Sequence, residues 1–164
     1  RREGFTVGRF DSRYRGVDSE GTADTPENDP SGSGMDVAYV AAINDYLTRE
    51  LNVDFTRPYK VLTGEPGSQW NWDVNQRGWP SYVNVTPWLG KGMRENPDLR
   101  VLLASGWYDF ATPFFGAEMS LHKNGVVLDR VQFDYYDSGH MMYLAESDGK
   151  KLSDDVRAFI EAGQ

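Results

Sequence analysis

The stretch from Arg100 to Leu144 constrains the fold of this chain most strongly, because two short apolar segments in it each end near a titratable side chain. Residues 100–105 read RVLLAS, a continuous apolar run typical of a parallel strand that is buried on both faces. Residues 131–136 read VQFDYY, and their alternation predicts a half-exposed strand nearer the edge of the sheet. Asp109 follows the first segment and His140 follows the second.

A helix is predicted between these two strands. Thr112 is placed to cap its first turn, Pro113 suits that turn, and Asn124-Gly125 favours a left-handed turn at its end. A strand, a helix and a second strand in this order form a right-handed crossover, which makes the two strands parallel neighbours in one sheet. The predicted fold class is therefore α/β.

Asp109 and His140 are expected to meet at the carboxyl edge of this sheet, where open α/β sheets place their sites. A carboxylate beside an imidazole fixes the tautomer of the ring and stabilises its cation when the ring accepts a proton. The two residues are therefore a candidate catalytic pair. The simpler alternatives are that Asp109 caps the following helix and that His140 is an exposed loop residue.

No metal or cofactor site is predicted. The chain has two histidines, and His122, late in the predicted helix, is expected to be structural or exposed. Residues 16–34 form a predicted loop rich in Gly, Pro, Ser and acid, whose carboxylates are Asp18, Glu20, Asp24, Glu27 and Asp29. Their spacing does not match an EF-hand, so a solvated loop is favoured over a calcium site.

The composition of the chain excludes several classes of function. A formal net charge of −8 and a pI near 4.7 disfavour a nucleic-acid partner, because binding to phosphates needs basic surface. No apolar run has the length that a bilayer crossing needs, so no membrane partner is predicted. The chain has no cysteine, which excludes thiol catalysis.

The first 85 residues carry weaker signals. FTVGRFDSRYRG (residues 5–16) favours a short strand or strand pair, residues 35–51 a helix, and PYKVLTG (residues 58–64) a short extended segment. The helix has an apolar stripe that is expected to pack against the rest of the protein. This stripe consists of Val40, Ile43, Leu47 and Leu51.

Three tryptophans follow within a short polar segment. Trp70, Trp72 and Trp79 lie among Asn, Gln and Arg residues. Such a cluster can form a platform for carbohydrate or a wall of a substrate site, and the alternative is aromatic packing inside a long insertion, which is favoured.

Residues 86–164 complete an alternating series of helices and strands. Thr86 is placed to cap a helix that runs to about Glu95, with Pro87 in its first turn, and Asn96-Pro97 ends it. A closing amphipathic helix carries the apolar residues Leu152, Val156, Phe159 and Ile160.

The segments SGWYDFATPFFG and YYDSGHMMYL resemble the C-terminal end of the serine carboxypeptidase family, which has the α/β-hydrolase fold. Asp109 and Pro113 match the D-x-x-x-P setting of that family's acid, and Gly139, His140 and Met141 match the G-H-M of its base. The resemblance continues through GRFDSRYRG, INDYLTREL and PYKVLTG, so it covers most of the chain.

This resemblance divides the chain into two parts. It implies that residues 1–85 belong to an insertion or cap region and residues 86–164 to the C-terminal part of an α/β-hydrolase core. Hydrolases of this fold order their triad as Ser, Asp and His, and the G-x-S-x-G motif of the nucleophile is absent from this sequence. Since the first residue is not Met either, the sequence is interpreted as the C-terminal part of a longer hydrolase or as one chain of a nicked enzyme.

The resemblance implies a serine-type carboxypeptidase. A serine from the other segment would attack the last peptide bond, His140 would act as general base and then as acid, and Asp109 would orient the ring. Tyr108 and Met141 are expected beside the substrate. The implied partners are the C-termini of peptides and the N-terminal part of the same protein, and the implied location is secreted or periplasmic.

The isolated chain is accordingly predicted to be inactive. Because it has an unpaired strand edge, it is also predicted either to self-associate, for example as a homo-oligomer, or to stay with the other half of the protein. Two alternative functions are kept. One is an esterase or acyltransferase of the same fold that uses the same pair. The other is a non-catalytic binding module in which the Trp-rich region binds sugar or protein.

Overall fold

A computed structural model of the chain describes residues 4–18, 28–54, 56, 58–60, 63–72 and 83–163. In chain order its elements are β1 (Phe5–Val7), β2 (Arg15–Val17), α1 (Pro30–Asp45), a π-helical turn (Tyr46–Glu50), α2 (Glu65–Gln69), α3 (Thr86–Glu95), β3 (Val101–Gly106), α4 (Phe114–Leu121), a 3₁₀ turn (Leu128–Arg130), β4 (Val131–Tyr136), a second 3₁₀ turn (Met142–Leu144) and α5 (Glu146–Glu161).

Strands β3 and β4 form a parallel pair with α4 as the crossover between them, as the sequence predicts. Their register runs from Val101 opposite Val131 to Gly106 opposite Tyr136. Strands β1 and β2 form a separate antiparallel pair, which confirms the predicted strand pair near the N-terminus. The described part of the chain is therefore a mixed α/β structure with one small parallel and one small antiparallel sheet.

The prediction that the first core strand is buried on both faces is wrong for most of β3. Residues 101–104 are half-buried, and Ser105 and Gly106 are buried. Within the described residues β3 pairs with β4 alone, so it has a strand neighbour on one side. Its apolar run is that of an interior strand, whereas its surroundings here are those of an edge strand.

Helix α1 begins five residues earlier than the sequence analysis predicts. The loop was expected to reach residue 34, but the helix starts at Pro30. Asp29 is its N-cap and accepts a hydrogen bond from the backbone N–H of Ser31 at 2.9 Å. An acid at the N-cap and a proline in the first turn both favour a helix start here, and this preference outweighs the unfavourable helix propensity of the two glycines that follow. A π-helical turn continues α1 to Glu50, one residue before the predicted end of the helix at Leu51.

Two threonines that were predicted to cap helices do not do so. The N-cap of α4 is Pro113 and that of α3 is Val85, and neither supplies a side-chain hydrogen bond. Thr86 is instead the first residue of α3, and its N–H donates to the side chain of Asn84 at 3.1 Å. Thr112 lies before α4, and its hydroxyl donates a hydrogen bond to Asp109. The predicted bounds of α3 are nonetheless confirmed.

The turn after α4 confirms the prediction for Asn124-Gly125. Both residues have positive φ, 64° at Asn124 and 72° at Gly125. Asparagine and glycine tolerate this left-handed backbone better than other residues do. The helix itself ends at Leu121, before the turn.

The segment between α1 and α3 differs from its prediction. Residues 58–60 have no regular structure, and residues 61 and 62 of the predicted extended piece lie outside the described residues. A short helix, α2, which the sequence analysis does not predict, leads to Trp70 and Trp72. These two rings pack against each other with centroids 6.3 Å apart, and both are more than half exposed. Trp79 lies outside the described residues.

Few apolar side chains are buried. Among the described residues the buried hydrophobic side chains are Met35, Met93 and Tyr136. Val40 and Leu51 of the predicted packing stripe are exposed, so the expectation that the stripe packs is wrong for them within the described part of the chain. This uncovered apolar surface is the physical basis of the predicted self-association, which stays a prediction.

No helix among the described residues is both long enough and apolar enough to cross a bilayer.

Candidate active site

The two candidate catalytic side chains lie next to each other, just past the carboxyl ends of β3 and β4. Nδ1 of His140 is 2.9 Å from Oδ2 of Asp109. Asp109 follows the end of β3 by three residues and His140 follows the end of β4 by four. The side chain of Asp109 is 6% exposed, whereas that of His140 is 39% exposed. The carboxylate is thus enclosed by protein while the imidazole still reaches solvent.

Asp109 is held by a complete set of hydrogen bonds. Its Oδ1 accepts the backbone N–H groups of Ala111 at 2.7 Å and of Thr112 at 2.9 Å, and its Oδ2 accepts the Thr112 hydroxyl at 2.7 Å. Burial by itself raises the pKa of Asp109, but the bonds from Thr112, His140 and Ala111 together hold that pKa below its ordinary value. Asp109 is therefore ionised at neutral pH and braces the loop before α4.

The hydrogen bond to Asp109 assigns the proton of a neutral His140 ring to Nδ1, since an ionised carboxylate only accepts. The hydroxyl of Thr112 lies 3.2 Å from the same Nδ1, and because it donates its own proton to Asp109 it is a second acceptor for Nδ1–H. Nε2 then carries the lone pair. This is the tautomer that a general base needs in order to take a proton at Nε2.

Two glycines allow close backbone contacts around Asp109 and His140. A Cβ placed on Gly106 would lie 2.2 Å from the backbone oxygen of Gly139 and 2.3 Å from that of Ser138. A Cβ placed on Gly139 would lie 2.2 Å from the backbone oxygen of Phe10. No side chain fits at those distances, so both positions need glycine for close backbone contact rather than for an unusual φ.

A segment near the N-terminus, residues 9–12, bridges the two loops. The N–H of His140 donates to the backbone oxygen of Phe10 at 2.7 Å, and the N–H of Phe110 donates to that of Arg9 at 3.0 Å. The N–H of Ser12 donates to the oxygen of Tyr108 at 2.9 Å. The Phe10 ring also lies 5.5 Å from the His140 ring. The sequence analysis did not predict this bridge, because no pattern in GRFDSRYRG indicates which distant residues it contacts.

Further buried polar groups anchor the bridge and the loop of His140. The N–H of Phe10 donates to the hydroxyl of Ser31 at 3.1 Å, which ties the bridge to the first turn of α1. On the other side, the buried hydroxyl of Ser138 donates to the carboxylate of Asp148 in the first turn of α5. Two helix N-termini therefore hold the loops from opposite ends of the chain.

The two predicted substrate neighbours lie close to the pair. Tyr108 is half-buried, with the guanidinium of Arg13 4.6 Å from the centre of its ring. Met141 lines a cavity of about 160 Å³ together with Phe10, Met35 and Leu144. Contact of either residue with substrate stays a prediction.

The aromatic residues around Asp109 divide into two groups. Trp107 stacks on Tyr135 with ring centroids 4.5 Å apart and meets the edge of Phe114 at 4.7 Å, so it belongs to an aromatic cluster over the sheet. Phe110 and Tyr143 are 57% and 60% exposed. The rings of these two residues are therefore largely accessible to solvent.

The second histidine lies apart from this site. His122 is exposed at the C-terminus of α4, and its Nδ1 is 2.9 Å from the backbone oxygen of Glu118, which confirms the expectation that it is structural or exposed. Within the part of the chain that the structure describes, no group of three or more His, Cys, Asp or Glu side chains is arranged to hold a metal ion.

Comparisons of the chain with protein-family models, with curated proteins and with solved structures found no match.

Three carboxylates at and near this site predict how the stability of the protein depends on pH in acid. Burial raises the pKa values of Asp11, Asp29 and Asp109, but their hydrogen bonds outweigh it and lower all three below the ordinary value. A carboxylate with a depressed folded-state pKa contributes stability that is fully present above its unfolded pKa of about 3.9. That contribution is lost as the pH falls through the folded pKa. We therefore expect the free energy of unfolding to fall below about pH 4.

Urea unfolding across this pH range measures the effect. Asp109→Asn cannot titrate, so its unfolding free energy is expected to fall less steeply with acid than that of the unaltered protein. The exposed Asp129, changed to Asn, is the matched control and is expected to keep the original slope. An unchanged slope for Asp109→Asn would show that this carboxylate does not have a depressed pKa.

Proposed function

We propose that this chain supplies the acid and the base of a Ser-Asp-His hydrolase of the α/β-hydrolase fold, and that the complete protein is a serine carboxypeptidase-like peptidase. The observation that carries the proposal is the 2.9 Å contact between Nδ1 of His140 and Oδ2 of Asp109 at the carboxyl edge of a parallel strand pair. The motifs D-x-x-x-P and G-H-M at the same two residues point in the same direction.

The roles of the pair follow from its hydrogen bonds. Nε2 of His140 would take the proton of a serine hydroxyl as that oxygen attacks the carbonyl carbon, and would later give the proton to the leaving amine. Asp109 would keep Nδ1 protonated and stabilise the imidazolium formed in between. Its lowered pKa supports this role, because a protonated carboxyl would not stabilise the cation.

The nucleophile is proposed to come from another segment of the protein. Within the described residues the hydroxyl in hydrogen-bonding distance of the His140 ring is that of Thr112, and it lies at Nδ1, on the wrong side for attack. Ser105 and Ser138 are both buried, and the hydroxyl of Ser138 is already bonded to Asp148. The half-exposed ring of His140 is accessible to a serine brought by a partner segment.

The half-buried β3 supports the same proposal. It carries the apolar sequence of an interior strand, and in an α/β-hydrolase its free edge would pair with a strand of the segment that bears the nucleophile. We propose residues 86–164 as the C-terminal part of that core and residues 1–85 as part of its insertion.

The test compares the 164-residue chain with the complete gene product. The substrate is an N-blocked dipeptide with a free C-terminus, and the same compound as a C-terminal ester separates peptidase from esterase activity. We expect the chain alone to be inactive and the complete protein to release the C-terminal amino acid. The proposal fails if the complete protein carries no nucleophilic serine upstream, or if the chain alone hydrolyses the peptide at a rate that His140→Ala abolishes.

A further inference from the structure

An ion pair beside the candidate site has no part in the proton transfers described above. Arg13 donates from Nε to Oδ1 of Asp11 at 3.0 Å and from Nη2 to Oδ2 at 2.6 Å, which is a two-pronged contact. The backbone N–H of Arg13 also donates to Oδ1, at 3.0 Å. Asp11 is only 9% exposed. A buried carboxylate is costly unless it is paired in this way, so the contact with Arg13 stabilises the charge of Asp11.

This pair contacts the loop that carries His140. Nη1 of Arg13 donates to the backbone oxygen of Asp137 at 2.9 Å. A Cβ placed on Gly139 would lie 2.8 Å from the Cα of Asp11, so the two backbones are in close contact. The guanidinium of Arg13 thus meets this loop at Asp137, and Asp11 meets it at Gly139.

The same pair contacts the loop that carries Asp109. The guanidinium of Arg13 lies over the ring of Tyr108, 4.6 Å from its centre, as in a cation–π contact. Ser12, between the two charged residues, donates its N–H to the oxygen of Tyr108 at 2.9 Å. Tyr108 is the residue immediately before Asp109.

From these contacts we propose that the Asp11–Arg13 ion pair is a positioning element, which sets the separation between the loops of Asp109 and His140. The guanidinium suits this role because its planar fork binds Asp11 and the oxygen of Asp137 simultaneously while its face covers Tyr108. The geometric part of this inference stands on the contacts alone. Its consequence for the reaction rate rests on the proposed function.

The structure predicts what loss of the guanidinium does. Without it the two loops share fewer contacts, and the bond between Nδ1 of His140 and Asp109 lengthens or is lost. A displacement of about 1 Å in a catalytic group can cost about 100-fold in rate, so Arg13→Met is expected to lower kcat by about 10- to 100-fold. KM is expected to change less than kcat, because the proposed role of Arg13 is to hold the two loops of the catalytic pair.

The experiment uses the complete gene product and two readouts. The first is the proton resonance of His140 Nδ1–H, which is observable when that hydrogen bond protects the proton from exchange. The second is kcat measured on the blocked dipeptide. For Arg13→Met we expect the resonance to weaken or disappear and kcat to fall. The matched control is Arg157→Met, which breaks an exposed ion pair with Asp154 on α5 and is expected to change neither readout.

A second variant, Arg13→Lys, tests the proposal if Arg13→Met does not fold. Arg13→Lys keeps a cation beside Asp11 but cannot bridge Asp11 and the oxygen of Asp137 together, so it is expected to fold and still to weaken the resonance. A double variant then tests whether the effect of Arg13 on kcat depends on the contact between Asp109 and His140. If Arg13 acts through the pair, Arg13→Met is expected to have no further effect on kcat in an Asp109→Asn background.

The outcomes separate this inference from the proposed function. Wild-type resonance and kcat in folded Arg13→Met or Arg13→Lys would overturn the positioning role, and so would additive effects in the double variant. If the complete protein shows no peptidase activity and the resonance still depends on Arg13, the proposed function fails and the positioning role stands.

Discussion

Replacing Asp109 with Asn is expected to lower kcat of the complete protein by about 10⁴-fold, the loss seen when the orienting acid of such a triad becomes an amide. An Asn side chain at this position can donate its NH₂ to Nδ1 of His140, which moves the ring proton to Nε2. Nε2 then has no lone pair to accept the proton of the nucleophile. His140→Ala removes the base itself, and we expect a loss of about 10⁶-fold.

Each of these variants has a matched control in the chain. Asp129→Asn changes an exposed carboxylate in the 3₁₀ turn before β4, and His122→Ala removes the other histidine, which is exposed at the end of α4. Both controls are expected to retain full kcat. Steady-state kinetics on the blocked dipeptide, with circular dichroism to verify folding, decides the matter. A folded Asp109→Asn protein with unchanged kcat would remove the acid from the mechanism.

Gly106→Ala is expected to destabilise the fold of this region, with a loss of about 3 kcal/mol in the free energy of unfolding. The new Cβ would lie 2.2 Å from the backbone oxygen of Gly139 and 2.3 Å from that of Ser138. Both obstacles are backbone atoms, which cannot rotate away as a side chain can. The loop of His140 must shift as a whole, so kcat is expected to fall as well.

The control for this prediction is Gly116→Ala in α4. A Cβ there would meet nothing within 4 Å, and alanine is favoured over glycine inside a helix by about 1 kcal/mol. Gly116→Ala is therefore expected to stabilise the protein slightly, and Gly106→Ala to destabilise it. Urea or thermal unfolding of both variants gives the comparison. Equal stability of the two would mean that the close approach at Gly106 is absent in solution.

Much of the site was predictable because its main parts follow from local patterns and one rule of topology. The apolar run of β3, the alternation of β4 and the helix between them predict a parallel pair. Parallel strands end at the same edge of a sheet, and so Asp109 and His140 were expected to meet. The contact at 2.9 Å agrees with that expectation.

Other parts of the site were not predictable, because their partners are distant in the chain. Arg13 and Asp137 are 124 positions apart, and no periodicity links them. Thr112 carries a good helix-capping signal, yet its hydroxyl bonds to Asp109, since the turn before α4 folds back onto that carboxylate. A local capping preference of about 1 kcal/mol is too weak to override such contacts.

The amino-acid sequence by itself determined the α/β class, the strand–helix–strand unit and the two residues at its carboxyl edge, because hydrophobic periodicity and turn residues act over short distances. Only the tertiary structure decided that residues 9–12 and the side chain of Arg13 lie across both loops, that Gly106 and Gly139 are points of backbone contact, and that β3 has one strand neighbour among the described residues. These features depend on which distant segments of the chain come into contact. Close packing of the whole chain determines those contacts, and the conformational preferences of a single segment do not.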